Sequence, residues 1–293
     1  MPEIPSPAVM VGVAEANGAP GASGALRFAA AEAVRRQVDL RLVHVVPSVP
    51  PGPVTQDEVD RAGLALLERA ASDVAAGDDA VQVTTELVHG PVVAGLVGAA
   101  ERAGLVVLQH DRMGRPGVVS TQSITHPVAA LCRVPVVAVP GGWREDRGRA
   151  GCTITVGADS GEGAPVVVAA ALAEARTRGC GVRVLHAWHL SDPYDDLVFS
   201  GPAGDAHTAE RRRLLADRLA GVMGEYADVP VELAVVHRRA ADALVAACSW
   251  TTLLVVGRHR HTIPLGPHLG SVVRAVLRHA TCPVLVVDPV PAD

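Results

Sequence analysis

The chain contains the same pattern of alternating elements twice, and this repeat restricts its fold more than any other feature. Short valine-rich runs alternate with Ala-rich and amphipathic stretches of helical period in both halves. The halves share a register, because Ser123 and Pro135 recur 148 positions later as Ser271 and Pro283. Strands that alternate with helices indicate a parallel sheet with helices on both faces.

We therefore predict two tandem α/β domains, residues 1–140 and 150–293, joined by a polar, glycine-rich linker over 141–149. Among the predicted elements are strands over 40–46 and 231–237 and a helix over 208–226. Parallel sheets of this kind bind ligands outside the carboxyl ends of their strands, where the strand order reverses. The ends of the first and fourth strands of each copy are the candidate positions.

Composition excludes several classes of protein. The net charge of −5 argues against general nucleic-acid binding. All 26 basic residues are arginine, so a P-loop lysine, a kinase lysine and a Schiff-base lysine are absent. No apolar run approaches the roughly 18 residues of a membrane span, and the first residues lack a signal-peptide pattern. We expect a cytoplasmic protein that does not enter the membrane.

The five cysteines give no sign of a zinc site, since their number is odd and none has C-x-x-C spacing. We interpret them as small buried thiols in a reducing compartment.

The second copy contains a candidate anion site. Its fourth apolar run ends at Gly257, and after a loop Gly270 and Ser271 open an amphipathic run over 272–279. The first N–H groups of a helix lack internal partners and favour negative charge. Gly270 would let a phosphate approach the backbone, and Ser271 would cap the helix or donate its hydroxyl. The alternative is an ordinary turn with a serine N-cap.

This spacing resembles the signature of the universal stress protein family, Gly-x2-Gly-x9-Gly-[Ser/Thr]. Gly257, Gly270 and Ser271 match it, whereas Arg260 replaces the second glycine. The resemblance covers both copies and implies doubly wound, open five-stranded sheets and a loop that cradles the ribose and phosphates of ATP or AMP, with Mg²⁺ as a candidate companion. It also implies dimers through the last strand, so we expect an internal pseudo-dimer; a homodimer of the whole chain is compatible with this.

In the family an aspartate at the end of the first strand contacts adenine, and Asp159 stands there in the second copy. Its alternative role is to cap the following turn. Arg260 either contacts the triphosphate or fills its place, and His186 either approaches the ligand or is a core histidine. The nucleotide-binding residues implied by the resemblance are Gly157, Ala158, Asp159, His186, Gly257, His259, Arg260, Gly270, Ser271 and Val272.

The first copy departs further from this pattern. Ala14 replaces the aspartate, and only Ser123 survives in the loop, where the other matching positions are Gln109, Arg112 and Gln122. We expect this copy to bind ATP poorly or not at all.

Three functions are compatible with these residues. The first is a regulatory or sensor protein that binds ATP or AMP in its second copy and is not an enzyme, although slow hydrolysis would be compatible. The second is a dimerisation or protein-interaction module without a ligand. The third, an enzyme that adenylylates a substrate, requires a second substrate pocket that the sequence does not reveal.

Overall fold

The computed structural model describes residues 7–14, 23–49, 52–77, 81–110, 122–145, 151–189, 201–258 and 269–290. The chain divides into two compact units between residues 147 and 148, apart from a short stretch outside the described residues. We call them the N-terminal and C-terminal units. Part of the predicted linker lies outside the described residues, so the bounds predicted for the two domains stay predictions.

The N-terminal unit has a parallel sheet whose strand order is β3-β2-β1-β4-β5. Its strands are β1 (Ala8–Gly12), β2 (Leu40–Val46), β3 (Val83–His89), β4 (Ala103–His110) and β5 (Val136–Pro140). Its helices are α1 (Gly24–Arg36), α2 (Gln56–Ala75), α3 (Val92–Ala100) and α4 (Gln122–Leu131).

The C-terminal unit has the same topology, with the strand order β10-β9-β6-β7-β8. Its strands are β6 (Thr153–Gly157), β7 (Gly181–Trp188), β8 (Val231–His237), β9 (Leu253–Gly257) and β10 (Val284–Val287). Its helices are α5 (Ala164–Arg178), α6 (Pro202–Glu225), α7 (Ala240–Ala247) and α8 (Ser271–His279).

In each unit the chain moves outward along the sheet for three strands and then returns to the other side of the first strand. Right-handed crossovers place the helices before and after this reversal on opposite faces. Both faces of the central strands are therefore covered, and consecutive residues such as Val106 and Val107, or Leu254 and Val255, are fully buried. The predicted fold class of two tandem, doubly wound α/β units is confirmed.

The same backbone hydrogen bond marks the end of the first strand in both units. The Val13 N–H donates to the Val43 carbonyl at 2.8 Å, and the Ala158 N–H donates to the Leu185 carbonyl at 3.1 Å. This match places Ala14 and Asp159 at equivalent positions, as the repeat in the sequence predicts.

Helix α6 begins earlier than predicted, at Pro202 rather than Thr208. A proline tolerates the first turn of a helix because its missing N–H would have no partner there. Gly201 precedes it with φ at 88°, a left-handed conformation that glycine adopts without steric cost. The prediction was wrong because it took Pro202 for part of the preceding loop.

The expectation that all five cysteines are thiols is wrong, because Cys152 and Cys180 are joined by a disulfide. Strand pairing brings them together, since Thr153 and Gly181, the residues that follow them, are partners in the register of β6 and β7. Their Cα atoms lie 4.8 Å apart although 28 positions separate them in the sequence. Cys132, Cys248 and Cys282 are buried free thiols.

None of the helices in the described part of the chain is long and apolar enough to cross a membrane.

Candidate functional site

Strands β6 and β9 are neighbours in the sheet although β7 and β8 lie between them along the chain. Val156 pairs with Val255, so the two strands end at the same edge of the sheet, at Gly157 and Gly257. Strand order reverses here, and right-handed crossovers place the helices that follow the two strands, α5 and α8, on opposite faces. The carboxyl edge of β6 and β9 is thus where a doubly wound sheet opens a crevice.

Asp159 lies at this edge, two residues beyond β6, and its side chain is exposed. Its Oδ1 accepts a hydrogen bond from the Gly161 N–H at 2.9 Å. The carboxylate therefore forms the turn expected of a loop aspartate and remains open to solvent.

Arg218 of α6, which the sequence did not identify, steadies the loop that carries Asp159. Its Nη1 donates to the Ser160 carbonyl at 2.6 Å. The contact spans 58 positions of the chain and depends on the packing of α6, so no local pattern in the sequence indicates it.

His186 is buried in β7, and its Nδ1 lies 2.9 Å from the Ala158 carbonyl. A carbonyl oxygen only accepts, so Nδ1 donates. His44 forms the same bond in the N-terminal unit, with Nδ1 2.8 Å from the Val13 carbonyl. The shared contact supports the interpretation of His186 as a core histidine that positions the peptide before Asp159; a direct contact with nucleotide stays a prediction.

Gly257 has a packing reason to be glycine. A Cβ atom built on it would lie 2.7 Å from Cγ2 of Val167 in α5. Glycine therefore lets α5 approach β9 closely, whether or not a ligand binds. Gly157 is less crowded, since its Cβ would lie 3.1 Å from Cδ2 of Leu244 in α7.

The start of α8 differs from the serine N-cap considered above. Gly270 is the N-cap residue, Ser271 is the first helical residue, and no side chain within the described residues caps the helix. In α1, by contrast, Ser23 Oγ accepts a hydrogen bond from the Leu26 N–H at 3.2 Å. The first turn of α8 thus presents main-chain N–H groups, including that of Val272, that no side chain in the described part of the protein caps.

The loop between β9 and α8 lies largely outside the described residues, and His259 and Arg260 fall there. Arg258 is described, and sequence reasoning missed it. The Arg258 side chain is buried, and the Arg258 backbone N–H donates to the Val287 carbonyl at 2.8 Å. The equivalent residue of the N-terminal unit, His110, is also buried. A comparison of the two copies at this position shows a basic residue in both and would have identified it.

An aromatic cluster at the ends of β7 and β8 was also missed. Trp188 stacks on His237 with 4.2 Å between ring centroids, and His207 approaches the Trp188 ring edge-on at 4.5 Å. Arg211 Nε donates to His207 Nε2 at 2.7 Å. The cluster lies at the ends of β7 and β8, at the same carboxyl edge of the sheet as Asp159.

The N-terminal unit arranges its equivalent edge differently. Gln109 pairs with Val139 as Gly257 pairs with Val287, which confirms that Gln109 stands at the Gly257 position. The start of α1 is covered by the chain that follows β5. The Gly24 N–H donates to the Gly141 carbonyl at 3.0 Å, and Arg27 Nη2 donates to the Trp143 carbonyl at 2.7 Å. Both contacts lie at the amino end of α1, which follows β1 at the carboxyl edge of the sheet.

Within the described residues there is no group of three or more His, Cys, Asp or Glu side chains arranged to hold a metal ion.

The sequence model of the universal stress protein family matches residues 8–140 and again residues 153–288. The chain belongs to the universal stress protein family. A universal stress protein of Mycobacterium tuberculosis is 30% identical over 301 residues, which cover 95% of this chain and 94% of that relative. Another from the same organism is 32% identical over 290 residues, covering 95% and 96%. The tandem architecture is therefore shared with full-length relatives.

Solved structures agree on the fold. A universal stress protein of Archaeoglobus fulgidus superposes with a TM-score of 0.64 at 15% identity and covers 97% of both chains. A universal stress protein solved in complex with cAMP matches 48% of this chain and all of its own, with a TM-score of 0.37 and 25% identity.

Proposed function

We propose that this universal stress protein binds an adenine nucleotide, ATP or AMP, in its C-terminal unit and acts as a regulator or sensor. The observation that carries the proposal is the pairing of an exposed carboxylate with a helix start that no described side chain caps, at one edge of the sheet. Asp159 follows β6, and α8 follows the neighbouring strand β9 after a loop. A carboxylate and a set of main-chain amides suit the two ends of an adenine nucleotide.

Asp159 is assigned to the adenine. The exocyclic amine of adenine donates hydrogen bonds, and an ionised carboxylate accepts them strongly. One of its oxygens already accepts from Gly161, which fixes the side chain before a ligand arrives. Gly157 and Ala158 carry the aspartate to the edge, and His186 holds the Ala158 peptide in place.

The phosphates are assigned to the amino end of α8. N–H groups at the start of a helix bind anions through their unpaired hydrogens and through the helix dipole. Gly270, Ser271 and Val272 supply these groups, and the exposed Ser271 adds a hydroxyl. Mg²⁺, if it accompanies ATP, would be held through the phosphates and water, as this small cation commonly is. His259 and Arg260 are assigned to the ribose and phosphates.

Isothermal titration calorimetry with ATP and with AMP tests the proposal. Replacing Asp159 with alanine removes a charged hydrogen-bond acceptor, which contributes about 1.5–3 kcal/mol and thus about tenfold to a hundredfold in Kd. Asp159→Asn keeps one acceptor oxygen for the Gly161 N–H but replaces the second oxygen with an NH2 donor, so it should also weaken binding while preserving the loop.

Glu162→Ala is the matched control, because Glu162 is an exposed carboxylate in the same loop and its loss changes the net charge equally. It should leave Kd within about twofold of the wild type, as expected for a screened surface charge. Equal weakening by Asp159→Ala and Glu162→Ala would mean that only loop charge matters. Absence of saturable binding to the wild type would favour the interaction module without nucleotide.

A further inference from the structure

The disulfide of the C-terminal unit lies at the amino edge of its sheet, opposite the proposed nucleotide site. Cys152 and Cys180 immediately precede β6 and β7, which are parallel neighbours. Neighbouring strands of a sheet lie about 4.7–4.9 Å apart. The Cα atoms of the two cysteines are 4.8 Å apart, so the disulfide joins two positions whose separation the strand pairing already sets.

Backbone hydrogen bonds hold this edge of the sheet together independently of the disulfide. The Gly181 N–H, next to Cys180, donates to the Cys152 carbonyl at 3.2 Å. On the other side of β6, the Thr252 N–H donates to the Thr153 carbonyl at 2.9 Å. These bonds would keep the two sulfurs within reach of each other after the S–S bond is broken. The pair can therefore open and close without a change in the fold.

The two cysteines differ in their exposure to solvent. Cys152 is partly exposed, whereas only 4% of Cys180 is exposed. The other three cysteines of the chain, Cys132, Cys248 and Cys282, are buried free thiols. Thiol–disulfide exchange begins when an external thiolate attacks a sulfur that it can reach. Cys152 is thus the cysteine that is open to attack.

Thr252 provides a partner for the thiol that exchange would leave on Cys152. Thr252 Oγ1 lies 3.4 Å from Cys152 Sγ and donates to the Thr153 carbonyl at 2.9 Å. A hydroxyl oxygen that donates its own proton can still accept, so a Cys152 thiol can donate to it. The reduced cysteine therefore has a hydrogen-bond partner already in place.

The N-terminal unit has no equivalent of this pair. Val9 pairs with Leu40 as Ile154 pairs with Val182, so Pro7 and Val38 stand at the positions of Cys152 and Cys180. Neither residue can form a covalent cross-link. A thiol reagent that acts on the disulfide would therefore change the C-terminal unit alone.

We propose that Cys152 and Cys180 form a reversible thiol–disulfide exchange site, which a dithiol opens by attack on Cys152. One thiolate of the dithiol bonds to the Cys152 sulfur, the S–S bond breaks, and Cys180 leaves as a thiolate that takes a proton. The second thiolate of the dithiol then attacks its own partner sulfur and releases Cys152, which takes the other proton. The dithiol is oxidised to a disulfide, and the protein disulfide is reduced to two thiols.

Dithiothreitol serves as the dithiol in a test on the folded, full-length protein. The protein is first exposed to oxidised glutathione, then treated with dithiothreitol without denaturant, quenched with acid, denatured and alkylated. Mass spectrometry should show alkylation of Cys152 and Cys180 as well as of the three free thiols. The circular dichroism spectrum should remain that of the folded protein. Renewed oxidised glutathione should restore the peptide in which Cys152 is joined to Cys180.

Two results of this experiment would overturn the proposal. One is a disulfide that dithiothreitol opens only in the presence of denaturant, which would make it a permanent cross-link. The other is failure of oxidised glutathione to join Cys152 to Cys180 in the folded protein.

Reduced glutathione, a monothiol, identifies the sulfur that is attacked, because it leaves a mixed disulfide there. In wild-type protein quenched with acid, glutathione should be found on the Cys152 peptide about tenfold more often than on the Cys180 peptide. In single variants exposed to oxidised glutathione, Cys180→Ser should be modified about tenfold faster than Cys152→Ser, whose remaining thiol is buried. Equal modification of the two sulfurs would overturn attack on Cys152. If a serine variant fails to fold, the wild-type protein decides alone.

Discussion

At the residue scale, Gly257 shows how one residue serves two purposes that the sequence cannot separate. The family spacing implied a glycine in a nucleotide-binding loop, and the structure adds a close contact with Val167. Val167 lies 90 positions earlier, on a helix that reaches β9 only because the strand order reverses. Local spacing therefore predicts that the position needs glycine but not which neighbour requires it.

The packing role predicts a steric penalty for Gly257→Ala. The added Cβ would lie 2.7 Å from Cγ2 of Val167, and overpacking of a core contact costs about 1–3 kcal/mol in the free energy of unfolding. Val167→Ala removes the methyl group concerned, so the double variant should be less destabilised than the sum of the single changes. Urea unfolding of the four proteins measures this coupling.

Gly221→Ala is the control for Gly257→Ala. Gly221 lies within α6, and among the described residues no atom outside its own stretch of helix backbone stands within 4 Å of a Cβ built there. Alanine is the better helix former by up to about 1 kcal/mol, so this variant should be unchanged or more stable. Additive effects of Gly257→Ala and Val167→Ala would contradict the packing role.

At the element scale, most of the strands follow from the sequence alone. The predicted bounds of β2 and β8, Leu40–Val46 and Val231–His237, are those observed, because apolar residues recur there between turn residues. The features that the sequence did not predict depend on contacts between different helices and strands. The Cys152–Cys180 disulfide requires β6 to pair with β7, and the cluster around Trp188 requires α6 to pack beside β7 and β8.

The disulfide is expected to stabilise the C-terminal unit by tying β6 to β7. Closing a loop of 28 positions restricts the unfolded chain and contributes about 3–4 kcal/mol. The double variant Cys152→Ala/Cys180→Ala should therefore unfold at lower urea concentration than the wild type when oxidants are absent. A reducing agent should shift the wild type toward the variant and leave the variant unchanged; a wild type that ignores the reductant would contradict a stabilising disulfide.

At the scale of the whole molecule, the two units share one topology but have different residues at the carboxyl edges of their sheets. Equivalent backbone hydrogen bonds align Ala14 with Asp159, and equivalent strand pairs align Gln109 with Gly257. The repeat could be predicted from sequence because it preserves spacing. Ligand binding by each unit could not be predicted in this way. Arg260, for example, has the same spacing whether its side chain contacts a phosphate or occupies the position of the phosphate.

This asymmetry predicts one nucleotide per chain, bound by the C-terminal unit. The N-terminal unit has Ala14 in place of the aspartate that would accept from adenine. It also has Gln109 where Gly257 ends β9 in the C-terminal unit. Its α4, the equivalent of α8, also begins at Gln122, which stands in place of Gly270. Calorimetric titration with ATP should therefore give a stoichiometry near one, and Asp159→Ala should weaken that binding without exposing a second site.

Ala14→Asp in the Asp159→Ala background makes the test sharper. It moves the carboxylate to the equivalent position of the N-terminal unit and restores the total charge of the wild type. Wild-type affinity should not return, because Gln109 and Gln122 still stand in place of Gly257 and Gly270 in that unit. Recovery of wild-type affinity would mean that the carboxylate alone decides which unit binds, and that the glycine positions of the second copy serve packing only.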